Sequence, residues 1–276
     1  MMISFKYVVF SLLCLILVSF ASFTINSIDI RVYVQEDGSA SVTEEFSIYI
    51  QGKESIDLYE DSLTTLDRNN IQSWIYKLQL PDLVYHIGGQ YVDVDNFVIL
   101  PEPVQKIYED GYTRISITYD ILESKNINAD GSLNNRGLFI LENIKPRTTR
   151  YILNKNAFLN LNQNGDLILP QNTKLNFLIP EGAIVTNLYP LTDTLRESHP
   201  PFYTSAISWT KPILPKLTFE FEIERTLESE IIDFFNSIQE NINKSFKGPE
   251  GLAYGFLIIA GIISLIYLHK INKRDV

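Results

Sequence analysis

The stretch Leu217-Thr218-Phe219-Glu220-Phe221-Glu222-Ile223-Glu224 decides the fold class. Its apolar residues alternate with threonine and three glutamates, so a period of two puts one set in a core and the other in water. A half-buried β-strand is the reading. Working outward from it, the same pattern recurs along most of the chain.

Ile28, Ile30, Val32 and Val34 alternate with Asp29, Arg31 and Tyr33, Gln35 to Ser39 turns the chain, and Phe46, Ile48 and Ile50 alternate again in Val42 to Ile50. Two such runs about a short polar turn predict a β-hairpin. Further strands are expected at residues 73–80, 83–87, 91–100 and 113–121, the last following an Asp110-Gly111 turn. A second series is expected at 138–141, 150–153, 158–161, 167–169, 174–179, 184–189, 206–209 and 217–224. No long amphipathic helix separates these runs, which argues against a parallel α/β scaffold. The expected fold is all-β: two tandem immunoglobulin-like β-sandwiches, at 24–122 and 138–225, joined by an Asn/Gly-rich linker at 123–137. One continuous sandwich is the alternative.

The two ends read differently. No charged residue lies between Tyr7 and Ile28, Lys6 precedes the run, and Ser19-Phe20-Ala21 offers a small-x-small cleavage pattern. Residues 1–23 are therefore read as a signal peptide, with an uncleaved signal anchor as the alternative. At the other end, Gly251 to Leu268 is 18 residues without charge, followed by His269 and by Lys270, Lys273 and Arg274. That is long enough to cross hydrocarbon as a helix, Tyr254 and Tyr267 sit near its ends, and the basic stub marks 269–276 as the cytoplasmic side. Gly251 and Gly255 share a spacing that lets helices approach closely. The expected topology is a single-pass plasma-membrane protein with its large N-terminal part outside.

Between the β-region and this span, Leu227, Ile231, Phe234, Phe235, Ile238, Ile242 and Phe246 recur at spacings of three and four. They predict an amphipathic helix over 226–247, stopped by Gly248-Pro249. Its stripe can pack on the β-region, pair with a second copy or lie on lipid, so residues 226–268 are where membrane lipid, protein partners or a homo-oligomer are expected.

Composition narrows the function. The chain of 276 residues has a formal charge of −10, and 45% of its residues are hydrophobic. Disorder is thereby disfavoured, and nucleic acid is a poor partner because phosphate binding needs a basic face. Between the two apolar ends lie 19 lysines and arginines against 32 acids, a solvated acidic exterior. The one cysteine, Cys14, lies in the leader, so a processed chain holds no disulfide.

Three histidines, His86, His199 and His269, are too far apart in sequence to suggest a metal-ligand motif. His86 reads as a satisfied strand residue and not as a base. No nucleophile elbow or phosphate loop is present, so no catalytic residue and no cofactor are assigned. Two loops echo calcium-loop spacing: Asn126, Asn128 and Asp130, and Asn160, Asn162 and Asn164. Each lacks the acid expected at its first and twelfth positions, and Asx turns explain the same residues. Lys145, Arg147 and Arg150 form a basic patch that neutralises nearby carboxylates or seats an anion.

Asp37-Gly38-Ser39-Ala40-Ser41-Val42-Thr43-Glu44-Glu45 and Ile179-Pro180-Glu181-Gly182-Ala183-Ile184-Val185 resemble segments of uncharacterised archaeal and bacterial membrane-anchored surface proteins with β-sandwich ectodomains. The resemblance implies an exported, membrane-held architecture and transfers no catalytic residue. The expected function is a non-catalytic cell-surface protein making protein or envelope contacts. A carboxylate-based ectohydrolase and a subunit of a membrane assembly or sensor complex are the alternatives.

Overall fold

The computed structural model describes residues 22–123, 136–145, 147–192 and 200–224. The expected leader, amphipathic helix, span and tail lie outside these residues, as do the membrane-anchor and helix-stripe residues named above. Among the described residues no helix is long and apolar enough to cross a membrane.

Strands dominate, as the alternation requires. β1 (Ser22–Val34), β2 (Ala40–Gln51) and β5 (Asp110–Ile121) are the longest. β1 pairs antiparallel with β2, and β2 with β5, which in turn carries β3 (Val94–Pro101) and β4 (Gln105–Ile107). On its other edge β1 takes β9 (Thr173–Leu178) in parallel, and β12 (Ala206–Trp209) closes that side of a seven-stranded sheet.

A second sheet of five strands runs β11 (Phe202–Tyr203), β10 (Ile184–Tyr189), β14 (Thr218–Glu224), β7 (Thr148–Leu153), β6 (Phe139–Lys145), with all pairs antiparallel. The short strands β8 (Leu167–Ile168) and β13 (Ile213–Leu214) form a separate pair.

The parallel β1–β9 pair corrects the expected division into two sandwiches. Ile28 faces Thr173 and Val32 faces Phe177, so chain from either side of the 123–137 linker shares one sheet. β1 has no free edge: it is buried at Ile28, Ile30, Val32 and Val34 and flanked on both sides. The described residues form one compact unit. The two sheets meet through interlocking rings. Phe177 packs edge-on to Phe139 (6.1 Å) and Phe219 (5.4 Å), and Trp209 to Phe219 (6.2 Å). Edge-to-face pairs of this kind add about 0.5–1.5 kcal/mol beyond their buried area.

Helices cover the rest of the large sheet's inner face. α1 (Lys53–Thr65) follows Gly52, whose φ of 81° ends β2, and it buries Ile56 and Tyr59 against β5 and the chain before it. The Tyr59 hydroxyl donates to the Glu102 carbonyl at 2.9 Å and accepts from the Thr113 hydroxyl at 3.0 Å.

α2 (Ile71–Leu78) stands where a strand was expected at 73–80. Asn70 caps it by accepting the Ser73 N–H, Ile71, Trp74 and Leu78 point inward, and Gln79 ends it in the left-handed region at φ 54°. The local capping and the spacing of three and four outweigh the β-propensity of Trp and Ile. Residues 83–87 and 158–161 are likewise not strands; Ile87 and Phe158 make an isolated bridge.

Candidate functional site

Two places concentrate chemistry, one sealed and one open. The sealed one begins with a break in pattern. Along β2 the inward positions are Ala40, Val42, Glu44, Phe46, Ile48 and Ile50, so a carboxylate occupies a core slot with none of its surface exposed. An unpaired buried carboxylate is costly, and this one is fully supplied with donors. The His86 backbone N–H gives 2.7 Å to Oε1, Tyr119 Oη gives 2.6 Å to the same oxygen, and His86 Nδ1 lies 2.6 Å from Oε2.

Tyr119 comes from β5, opposite Val42. His86 comes from the irregular segment between α2 and β3, its carbonyl held by the Leu159 N–H and its ring stacked near Phe46 at 6.3 Å. Burial, then the charge of Glu44, pushes the Tyr119 hydroxyl well above its ordinary value. His86 Nε2 is buried without a partner among the described residues. Glu44, His86 and Tyr119 have the donor and acceptor types of a proton-transfer set. All three are buried, Glu44 with none of its surface exposed, and they act as a polar bolt between three segments distant in sequence.

The open site sits at the β4–β5 turn. The register pairs Ile107 with Asp110, so the two-residue loop is Tyr108-Glu109 and not the expected Asp110-Gly111 turn. Tyr108 has φ 57°, a backbone conformation usually given to glycine at this place in a tight hairpin, and its side chain is fully exposed. Tyr112 on β5 faces Tyr49 on β2 across the sheet, rings 5.2 Å apart and tilted by 48°. Tyr49 donates its hydroxyl to Asp110 Oδ2 at 2.5 Å, and the Gly52 N–H donates to Oδ1 at 2.9 Å. These two bonds, the tyrosine's first, hold Asp110 below the usual carboxylate range, and the bond to Asp110, then burial, raises Tyr49. Lys106 ties β4 to Glu60 of α1 at 2.7 Å. Three tyrosines, Ile107 and two carboxylates thus border a hollow of about 570 Å³.

A second hollow, about 650 Å³, is lined by Asp82, Asn160, Asn162 and Gln171 with apolar neighbours such as Ile28 and Leu161. Here the expected calcium candidates resolve into a turn. Asn162 Oδ1 accepts the N–H groups of Asn164 and Asp166, and Nδ2 donates to Asp166 Oδ2. Among the described residues no group of three His, Cys, Asp or Glu is placed to hold a metal. Asn126, Asn128 and Asp130 lie outside them. Of the basic patch, Arg150 spends its guanidinium on Glu222, at 3.0 and 2.8 Å. The outward face of the large sheet is a lattice of charges in which Arg31 bridges Asp29 and Glu45.

No family model and no curated protein matches the chain. Among solved structures, the NMR structure of the folded domain of Mycobacterium tuberculosis LppM is similar at a TM-score of 0.22 and 12% identity, over 74% of this chain and 94% of that one. A likeness of that size carries no argument about fold or function.

Sequence reasoning missed both places. The signal for the first was Glu44 standing in phase with Val42 and Phe46. For the second it was Tyr49, Tyr108 and Tyr112 flanking a strand end.

Proposed function

We propose that this chain is a non-catalytic, single-pass cell-surface protein whose acidic β-domain makes protein or envelope contacts outside the membrane, anchored by the apolar segment 251–268. The reading rests on one observation above others: Tyr108, Tyr112 and Ile107 are exposed together on a hairpin end that Asp110 fastens to the sheet. Large apolar and aromatic side chains gathered at one surface point are what contact sites use, because they bury much area when a partner covers them. The acidic surrounding suits a domain held off anionic lipid.

The test is a photo-cross-linking residue placed at Tyr108 in the full chain and, separately, at Tyr76, which is 87% exposed on α2. Discrete adducts from position 108 and none from 76 support the reading. Equal adducts from both, or none from either, contradict it, and saturable turnover of a glycan, peptide or ester by the purified protein would overturn the non-catalytic part.

A further inference from the structure

The hollow at the β4–β5 turn has an unbalanced chemistry. Its rim offers the rings of Tyr49, Tyr108 and Tyr112 and the carboxylates of Glu109 and Asp110, with no basic residue among those lining it. The Tyr49 hydroxyl is already spent on Asp110, which leaves the Tyr108 and Tyr112 hydroxyls as side-chain donors against two carboxylates and three π faces. Two carboxylates with no basic residue beside them favour a cation over a neutral ligand. Asp110 stays ionised because the Tyr49 hydroxyl and the Gly52 N–H both favour its charge, and Glu109 is exposed without an ion-pair partner among the described residues. The volume falls within the roughly 300–1,000 Å³ of small-ligand sites. Ammonium and guanidinium groups bind over tyrosine faces, and more strongly where a carboxylate closes the pair.

The neighbouring backbone says what carries the cation. β4 pairs with β5 alone among the described strands, and its three residues are exposed, so its other edge is open to an added strand. We infer that the hollow receives an arginine or lysine side chain of a partner polypeptide that lies along β4. The inference rests on the contact reading above and names the chemistry of that contact.

The peptide acetyl-Thr-Val-Arg-Val-Thr-amide and its Arg-to-Gln counterpart, each fluorescently labelled, are titrated with the detergent-solubilised full chain. The arginine peptide is expected to bind saturably and about threefold or more tighter than the glutamine one. Tyr108→Gly is the decisive variant, because it removes the ring while relieving the positive φ and so keeps the fold; it and Glu109→Gln should both lose this preference. Glu220→Gln, which removes an equal charge from β14, should keep it. Equal affinity for the two peptides, an unaltered Tyr108→Gly, equal losses in Glu109→Gln and Glu220→Gln, or no binding by either peptide would each overturn the inference. A surface-exposed protein that failed this titration would still satisfy the location and cross-linking tests, so the two readings fail separately.

Discussion

Glu44 and His86, 42 positions apart in sequence, are bracketed twice in the interior: the histidine's own N–H and its Nδ1 take one carboxylate oxygen each, at 2.7 and 2.6 Å. The bracket fixes the irregular segment between α2 and β3 onto the sheet, where backbone pairing is sparse. Breaking a buried pair from one side costs about 3–5 kcal/mol, whereas replacing both partners by apolar groups can be nearly neutral. His86→Leu is therefore expected to lower stability by about that amount, and Glu44→Leu/His86→Leu, which also leaves the Tyr119 hydroxyl and the backbone N–H of residue 86 unpaired, to lose less than the sum of the two single variants. Urea unfolding of His86→Leu, Glu44→Leu and the double variant measures this; a double variant as unstable as the sum of the singles contradicts the pairing.

Buried tyrosines set the alkaline limit. Burial pushes Tyr59 up to about 12 and Tyr119 well above its ordinary value. Both folded values are raised, so the stability they contribute is complete below the unfolded tyrosine value near 10 and is lost as pH rises through the folded values. Ultraviolet titration should show most tyrosines ionising near pH 10 and these two only as the fold gives way. Simultaneous ionisation of all of them would contradict their burial.

At the acid end the sign reverses. Asp110 is depressed, so its contribution is present above the unfolded carboxylate value near 4 and is lost as pH falls through the folded one. Tyr49→Phe removes the first cause of that shift. NMR titration of the Asp110 carboxyl should find its midpoint raised in the variant, and an unchanged midpoint would contradict the bond.

The join between the two halves of the chain is testable at a glycine. A Cβ on Gly38, in the β1–β2 turn, would lie 2.6 Å from Leu141 Cδ1 on β6, and the backbone φ is +83°. Gly182 has nearly the same φ, +82°, but open space around it. Gly38→Ala should cost more than the roughly 1–2 kcal/mol that the left-handed conformation alone imposes at Gly182→Ala. Equal losses would mean that the end of the Leu141 side chain is not held against the hairpin.

Much of this architecture was legible from alternation. β2, β5, β10 and β14 announce themselves because each has one wet and one dry face. The parallel β1–β9 pair does not, since nothing local in either strand states a partner about 145 residues away, and so one unit reads as two. α2 is ambiguous because Trp74, Ile75 and Tyr76 favour strands by propensity while Ile71, Trp74 and Leu78 keep a helical period. Glu44 was visible as a misfit on an apolar face, but its donors arrive from residues 86 and 119 and only the folded chain names them. The tyrosine hollow depends on the pairing of Ile107 with Asp110, and a one-residue change of turn would turn Ile107 to the other face of the sheet while Tyr112 stays opposite Tyr49.

Location is the claim on which the functional account stands, and one labelling measurement reaches it. In a Cys14→Ser background, which removes the chain's own cysteine, Tyr108→Cys and Lys273→Cys are each treated in intact cells with a membrane-impermeant maleimide. The account predicts that position 108 is labelled at once and position 273 only after the cells are permeabilised. Labelling of neither in intact cells, or of 273 in place of 108, would contradict it.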